Sequence, residues 1–238
     1  QSYDFMHDAN TAMMFPVFYA ILLITAYFPF SPLPEKAVLR LLARYFRSAE
    51  YLMSTLGHDP AMSSTRMEVL RKRYHARQVE VLPTKLGVWG RMINPRLLPG
   101  ADAQQVRSLV IDLQVLSLRI SALLEARQQP QAAALARELT PDIREWRQAI
   151  QALFRGWSDQ PALVSETGLA QRLDDRLAAL ERRISESLAR VGEDQVAQQE
   201  YRNFYRLLGG FRGVSEAMLR YARQSGAMNL MQWRESRF

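Results

Sequence analysis

The sequence reads as all-α: a helical bundle with a coiled-coil-like hairpin, preceded by one transmembrane helix. Three observations predict this. Every long apolar pattern recurs at steps of three and four, and none alternates as a strand would. Residues 9–34, ANTAMMFPVFYAILLITAYFPFSPLP, hold no charge. Proline and glycine clusters then divide the rest into segments of helical length.

The uncharged run sets the domain organisation. A bilayer core of about 30 Å takes roughly 20 mostly apolar residues in a helix. Residues 12–30 supply them, interrupted by Pro16, Thr25 and Pro29. Every Lys and Arg follows this segment, while Asp4, His7 and Asp8 precede it. The excess of basic residues marks the cytoplasmic flank, so residues 1–34 read as a transmembrane helix with a short external flank and 35–238 as a cytoplasmic all-helical domain. A buried core helix is the competing reading, and the prolines argue for it. A cleaved signal peptide does not fit, because the basic n-region is missing and the apolar run is too long. The start at Gln1 reads as the beginning of a piece cut from a longer chain.

Beyond the run, Leu39, Leu42, Ala43, Phe46, Ala49, Leu52 and Met53 recur at three and four, with Arg40, Arg44 and Arg47 on the other face. Gly57-His58-Asp59-Pro60 ends that helix. Thr65 and Glu68 form a capping box for the next, which Pro83 should kink or break; a shorter segment, KLGVWGRMI, stops at Asn94-Pro95. Asp102 with Gln105 opens a third helix, striped by Val106, Leu109, Val110, Leu113, Leu116, Ile120, Leu123 and Leu124. Pro130 separates it from a helix ending near Leu139. Thr140-Pro141-Asp142 supplies a cap, a first-turn proline and an acid for a fresh start, burying Ile143, Trp146, Ile150, Leu153 and Phe154. After turn formers between Gly156 and Gly168, Leu169, Leu173, Leu177, Leu180, Ile184, Leu188 and Val191 form a narrow seam suited to one arm of a hairpin. Gly192 stops it. A last helical pattern runs from Asp194 to about Gln224, where Gly209, Gly210 and Gly213 permit close helix approach or a local break.

Little points to catalysis. With no cysteine, disulfides, thiolate metal sites and cysteine nucleophiles are excluded. His7, His58 and His75 form no metal-binding spacing, and neither a metal nor a cofactor is expected. His75 reads as a surface residue on a basic face. Asp174, Asp175, Glu186 and Glu193 alternate with arginines and read as surface ion pairs rather than a catalytic dyad. Gly209-Gly210-Phe211-Arg212-Gly213 lacks the strand and the Lys-Ser/Thr of a phosphate loop. Trp89, Trp146, Trp157 and Trp233 read as core or interface anchors. The net charge of +7 is interleaved with acids along helices, which argues against a nucleic-acid partner. Near the membrane exit it favours lipid instead: Arg40, Arg44 and Arg47 are the candidate membrane-surface contacts, with pairing to Glu50 as the competing use.

Three stretches carry a family resemblance: YDFMHDANTAMMFPVFYAILLITAYFPF with RLLARYFRSAEYL, RYHARQVEVLPTKLGVWGRMINPRLLPG, and FYRLLGGFRGVSEAMLRYARQSGAMNLMQWRESRF. Together they resemble the fusaric acid resistance (FUSC) family, which includes aromatic acid exporters. The likeness spans nearly the whole chain, but its motifs are diffuse patterns of Pro, Gly, Trp and Arg. It implies a polytopic inner-membrane efflux protein of Gram-negative bacteria that extrudes aromatic carboxylic acids. This chain would supply one membrane helix and a non-catalytic assembly or gating domain. Expected partners are membrane lipids, the remaining transmembrane helices, further copies of the chain and the small aromatic acid substrate of the whole transporter. The alternative is a membrane-tethered helical adaptor that binds a protein partner.

Overall fold

The computed structural model describes residues 12–23, 33–57, 65–94, 102–129, 133–162, 168–191, 198–228 and 230–234. All the regular structure among them is helical. Residues 12–23 form a first helix, α1. The others are α2 (Pro34–Thr55), α3 (Arg66–Arg91), α4 (Ala103–Gln128), α5 (Ala133–Asp159), α6 (Leu169–Val191) and α7 (Gln198–Ala227), followed by a 3-10 turn at Leu230–Trp233. The chain divides into two compact units, Gln1–Leu33 and Pro34–Phe238.

In the first unit, the large side chains of α1 lie open, from 47% exposure at Leu22 to 74% at Met13. Twelve residues of helix extend about 18 Å, short of a bilayer core. Among the described residues no helix is long and apolar enough to cross a membrane. The rest of the expected span, residues 24–30, lies outside them.

The second unit is a helical bundle. Its helices neighbour one another in the order α7, α4, α3, α2, α5, α6, and α6 also meets α7. The amphipathic spacing of α2 buries Leu42, Tyr45, Phe46, Ala49 and Met53 completely. Phe46 is the hub of the interior. Its ring lies 5.2 Å from Tyr45, 5.9 Å from Phe154, 5.2 Å from Trp157 and 4.9 Å from Tyr221, tying α2 to α5 and α7. The expected stripe of α4 is buried at Val106, Leu109, Leu113, Leu116, Ile120, Leu123 and Leu124. Gly210 brings α7 against α4, since a Cβ there would stand 3.3 Å from Leu123 Cα. The carbonyls at the end of α2 and in the turn just past it are reached by tertiary arginines: Arg147 Nη1 donates to Ser54 O at 3.1 Å and Arg127 Nε to Leu56 O at 3.5 Å.

Three local expectations need correction. Pro83 does not break α3, which runs on to Arg91. A proline removes the N–H that would have bonded the carbonyl four residues back. That carbonyl is Val79 O, and the Ser117 hydroxyl from α4 donates to it at 2.8 Å, so the freed acceptor is satisfied. Tyr45 donates to Leu113 O at 3.2 Å beside the same hydroxyl, binding α2, α3 and α4 at one buried node. Likewise, α5 passes through Thr140-Pro141 without restarting. Trp146, Ile150 and Phe154 anchor it in the core, and Asp142 faces Arg183 of α6 at 3.6 Å instead of opening a new helix. Asp102 does cap α4, accepting from Gln104 N at 3.2 Å, but the reach-back from Gln105 is not made. The Gln105 side-chain oxygen is instead buried, and the Gln105 backbone carbonyl accepts from Gln224 Nε2 of α7 at 3.3 Å.

The capping box at Thr65 forms as expected: Glu68 accepts from Thr65 N at 2.8 Å, and Thr65 Oγ1 from Glu68 N at 3.3 Å. The pairs Asp142–Arg183 and Glu145–Arg176 set α5 and α6 antiparallel. Beyond Leu173, the side chains of the apolar seam lie outside the described residues, as do Gly192 and Asp194.

Candidate functional site

The outer side of α2 is the surface that sequence analysis marked. Its inner side is committed to the core, so residues half a turn away must face out. Arg40, Arg44 and Arg47 are all exposed there. Their competing partner is taken: Glu50 accepts from Arg155 of α5 through Nε at 2.8 Å and Nη2 at 2.6 Å. No carboxylate among the described residues pairs with the three arginines. Only Arg44 has a side-chain partner in view, donating weakly to Gln78 Oε1 of α3 at 3.4 Å.

His75 differs from expectation. It is half-buried in the seam between α2 and α3, with Nδ1 3.1 Å from Ser48 Oγ. Its ring lies 4.2 Å from that of Tyr51 and 5.2 Å from that of Tyr74. Burial, and secondarily the neighbouring Arg71 charge, hold its pKa below the ordinary histidine value, so the ring is neutral at neutral pH. Ser48 is buried within α2, so this hydroxyl–imidazole pair is a joint between helices.

The other candidates resolve into structure. Gly209 to Gly213 lie inside α7 and form no loop. Trp146, Trp157 and Trp233 are buried, and Trp89 packs against the core. Asp175 is exposed and accepts from Gln171 at 2.8 Å, and Glu186 is also exposed. The Asp174 side chain, Glu193, His7 and His58 lie outside the described residues. No cluster of three metal-binding side chains occurs among the described residues. Deep in the bundle, burial raises the pKa of Tyr45 and Tyr221 far above the ordinary phenol value. The Tyr221 and Ser225 hydroxyls, one turn apart, are buried without a well-formed hydrogen bond.

One feature escaped the sequence reading. Met67, Leu70, Tyr74 and Val88 of α3 are exposed, as are Ile111 and Leu118 of α4. Met67, Leu70 and Tyr74 share a three-and-four spacing, so the signal was present. Periodicity alone does not say whether such a stripe is buried by the chain itself. No protein-family model matches the chain, and neither a curated protein nor a solved structure does.

Proposed function

We propose that the chain is part of an inner-membrane efflux transporter of the fusaric acid resistance type that exports aromatic carboxylic acids. In this reading the bundle is an assembly or gating platform on the cytoplasmic side and is not itself catalytic. One observation carries it: an uncharged helix open all round at residues 12–23, followed after residues 24–33 by a bundle whose first helix exposes Arg40, Arg44 and Arg47 with no carboxylate partner among the described residues. A helix apolar on every side requires lipid or other apolar helices around it. Pro16 is tolerable where neighbouring membrane helices satisfy the freed carbonyl. The remaining transmembrane helices of the parent protein, and further copies of the chain, would supply those neighbours. Arg40, Arg44 and Arg47 then lie close to the membrane exit, where anionic headgroups attract basic side chains.

The test is physiological. A strain lacking the intact protein should accumulate labelled aromatic carboxylic acids and stop growing at lower concentrations of them. Restoring the intact gene should reverse both effects. Accumulation that stays equal across a panel of such acids contradicts the proposal. The exposed Ile111 and Leu118 of α4 favour a second reading, a membrane-tethered adaptor that binds a protein partner. Several more apolar spans in the parent reading frame would favour the transporter, and a single span the adaptor.

A further inference from the structure

The basic strip of α2 is flanked by an apolar one. Arg40, Arg44, Arg47 and Tyr51 recur at four, three and four, which keeps them within about 60° on the helix. Three contacts set the register of the neighbouring α3: Arg44 to Gln78, Ser48 to His75, and Tyr51 against His75. Tyr74 therefore lies beside the Arg44–Tyr51 stretch. The line through Tyr74 carries Met67 and Leu70 toward the start of α3 and Val88 toward its end, with exposures of 68% at Met67, 52% at Leu70, 53% at Tyr74 and 49% at Val88. Exposed Lys85, eleven residues after Tyr74, falls within about 20° of the same line.

The acids of both helices are elsewhere. Glu50 is held by Arg155, and Glu68 is engaged in the capping box. Glu35 falls about 180° around α2 from Arg44, and Glu80 about 120° around α3 from Tyr74. What remains is a face of arginines, a lysine and exposed apolar and aromatic side chains. Such a combination suits the headgroup layer of an anionic bilayer, where apolar tips enter the acyl boundary and cations stay at the phosphates. A second copy fits poorly. In a two-fold contact through this face the arginines of one copy would meet either those of the other or its apolar strip, and in neither case a free carboxylate of α2 or α3.

We infer that the α2–α3 face lies flat on an anionic bilayer, with Arg40, Arg44 and Arg47 at the phosphates and Met67, Leu70 and Tyr74 in the headgroup layer. This rests on the membrane reading above and adds the part of the bundle that touches lipid.

The absence of cysteine makes single-site probes straightforward. Leu70→Cys, Leu118→Cys and Phe18→Cys, each in the full chain, would carry an environment-sensitive fluorophore. The chains would be placed in vesicles bearing a lipid-attached quencher. With anionic phospholipid at low salt, the label at 70 should be quenched about tenfold more than that at 118; high salt, or replacing Arg40, Arg44 and Arg47 by Gln, should abolish the difference. The label at 18 should be quenched in anionic and neutral vesicles alike. Equal quenching at 70 and 118 with strong quenching at 18 overturns this inference and leaves the membrane reading standing. No quenching at 18 overturns the membrane reading itself. A signal at 70 that follows protein density in neutral vesicles identifies a second copy as the occupant and also overturns the inference.

Discussion

Helices α1 and α2 are both rich in large apolar residues, yet their environments are opposite. In α2 the apolar residues return every three or four positions, so they share one face; Leu42, Tyr45, Phe46 and Met53 have no exposure. In α1 they go all the way round, and Phe15, Phe18, Ile21 and Leu22 all lie open. Charge and periodicity together separate the two helices: α1 has no charged residue, whereas α2 carries Glu35, Lys36, Arg40, Arg44, Arg47 and Glu50 away from its apolar face. A one-sided helix can complete a bundle, whereas an all-sided helix needs an apolar surrounding on every side.

The sharpest way to break this contrast is to truncate an aromatic in each region. Phe46→Ala removes the ring that joins α2, α5 and α7, and should cost about 3–5 kcal/mol in denaturant unfolding. Phe18→Ala should leave the unfolding midpoint of the bundle unchanged. A comparable loss from both would mean that α1 belongs to the bundle's core.

A smaller effect probes how α2 is bound to its neighbours. Ser117→Ala should cost about 1–3 kcal/mol, because it leaves the Val79 carbonyl buried without a donor. Pro83→Ala restores the backbone N–H to that carbonyl, so the cost of Ser117→Ala in that background should shrink. Full additivity in the double-mutant cycle would show that the hydroxyl does not replace the missing bond.

The smallest effect is a pH dependence at the α2–α3 joint. The folded state holds the pKa of His75 below its unfolded value, so the unfolded chain takes up the proton first. His75 therefore detracts nothing above about pH 6.5, and it lowers stability as pH falls from there through the folded pKa. His75→Gln should flatten that part of the profile of melting temperature against pH. An unchanged slope would place the titration elsewhere.

Much of this fold was legible in the sequence because it is local. The three-and-four stripes of α2 and α4, the Thr65–Glu68 capping box and the bounds of α6 each follow from residues within a few positions of one another. What was not legible depends on distant partners. Pro83 reads as a break until Ser117, from another helix, takes the vacated acceptor. Glu50 reads as a mate for the α2 arginines until Arg155, more than a hundred positions away, claims it with two bonds. Gln105 fits a capping box by spacing, yet its side-chain oxygen is buried in the bundle instead of reaching back to Asp102. The candidate surface was half legible: its arginines stand out by charge, whereas Met67, Leu70 and Tyr74 look like any buried stripe until the bundle turns them outward.

Under the proposal above, the uncharged segment at residues 9–34 anchors the chain in a membrane independently of the bundle. Alkaline extraction of membranes from cells expressing the chain tests it most directly. An arginine at the centre of a membrane helix costs about 3 kcal/mol. The chain should therefore stay with the membranes while Leu22→Arg is released. Release of the unaltered chain, or equal retention of both, would contradict the claim.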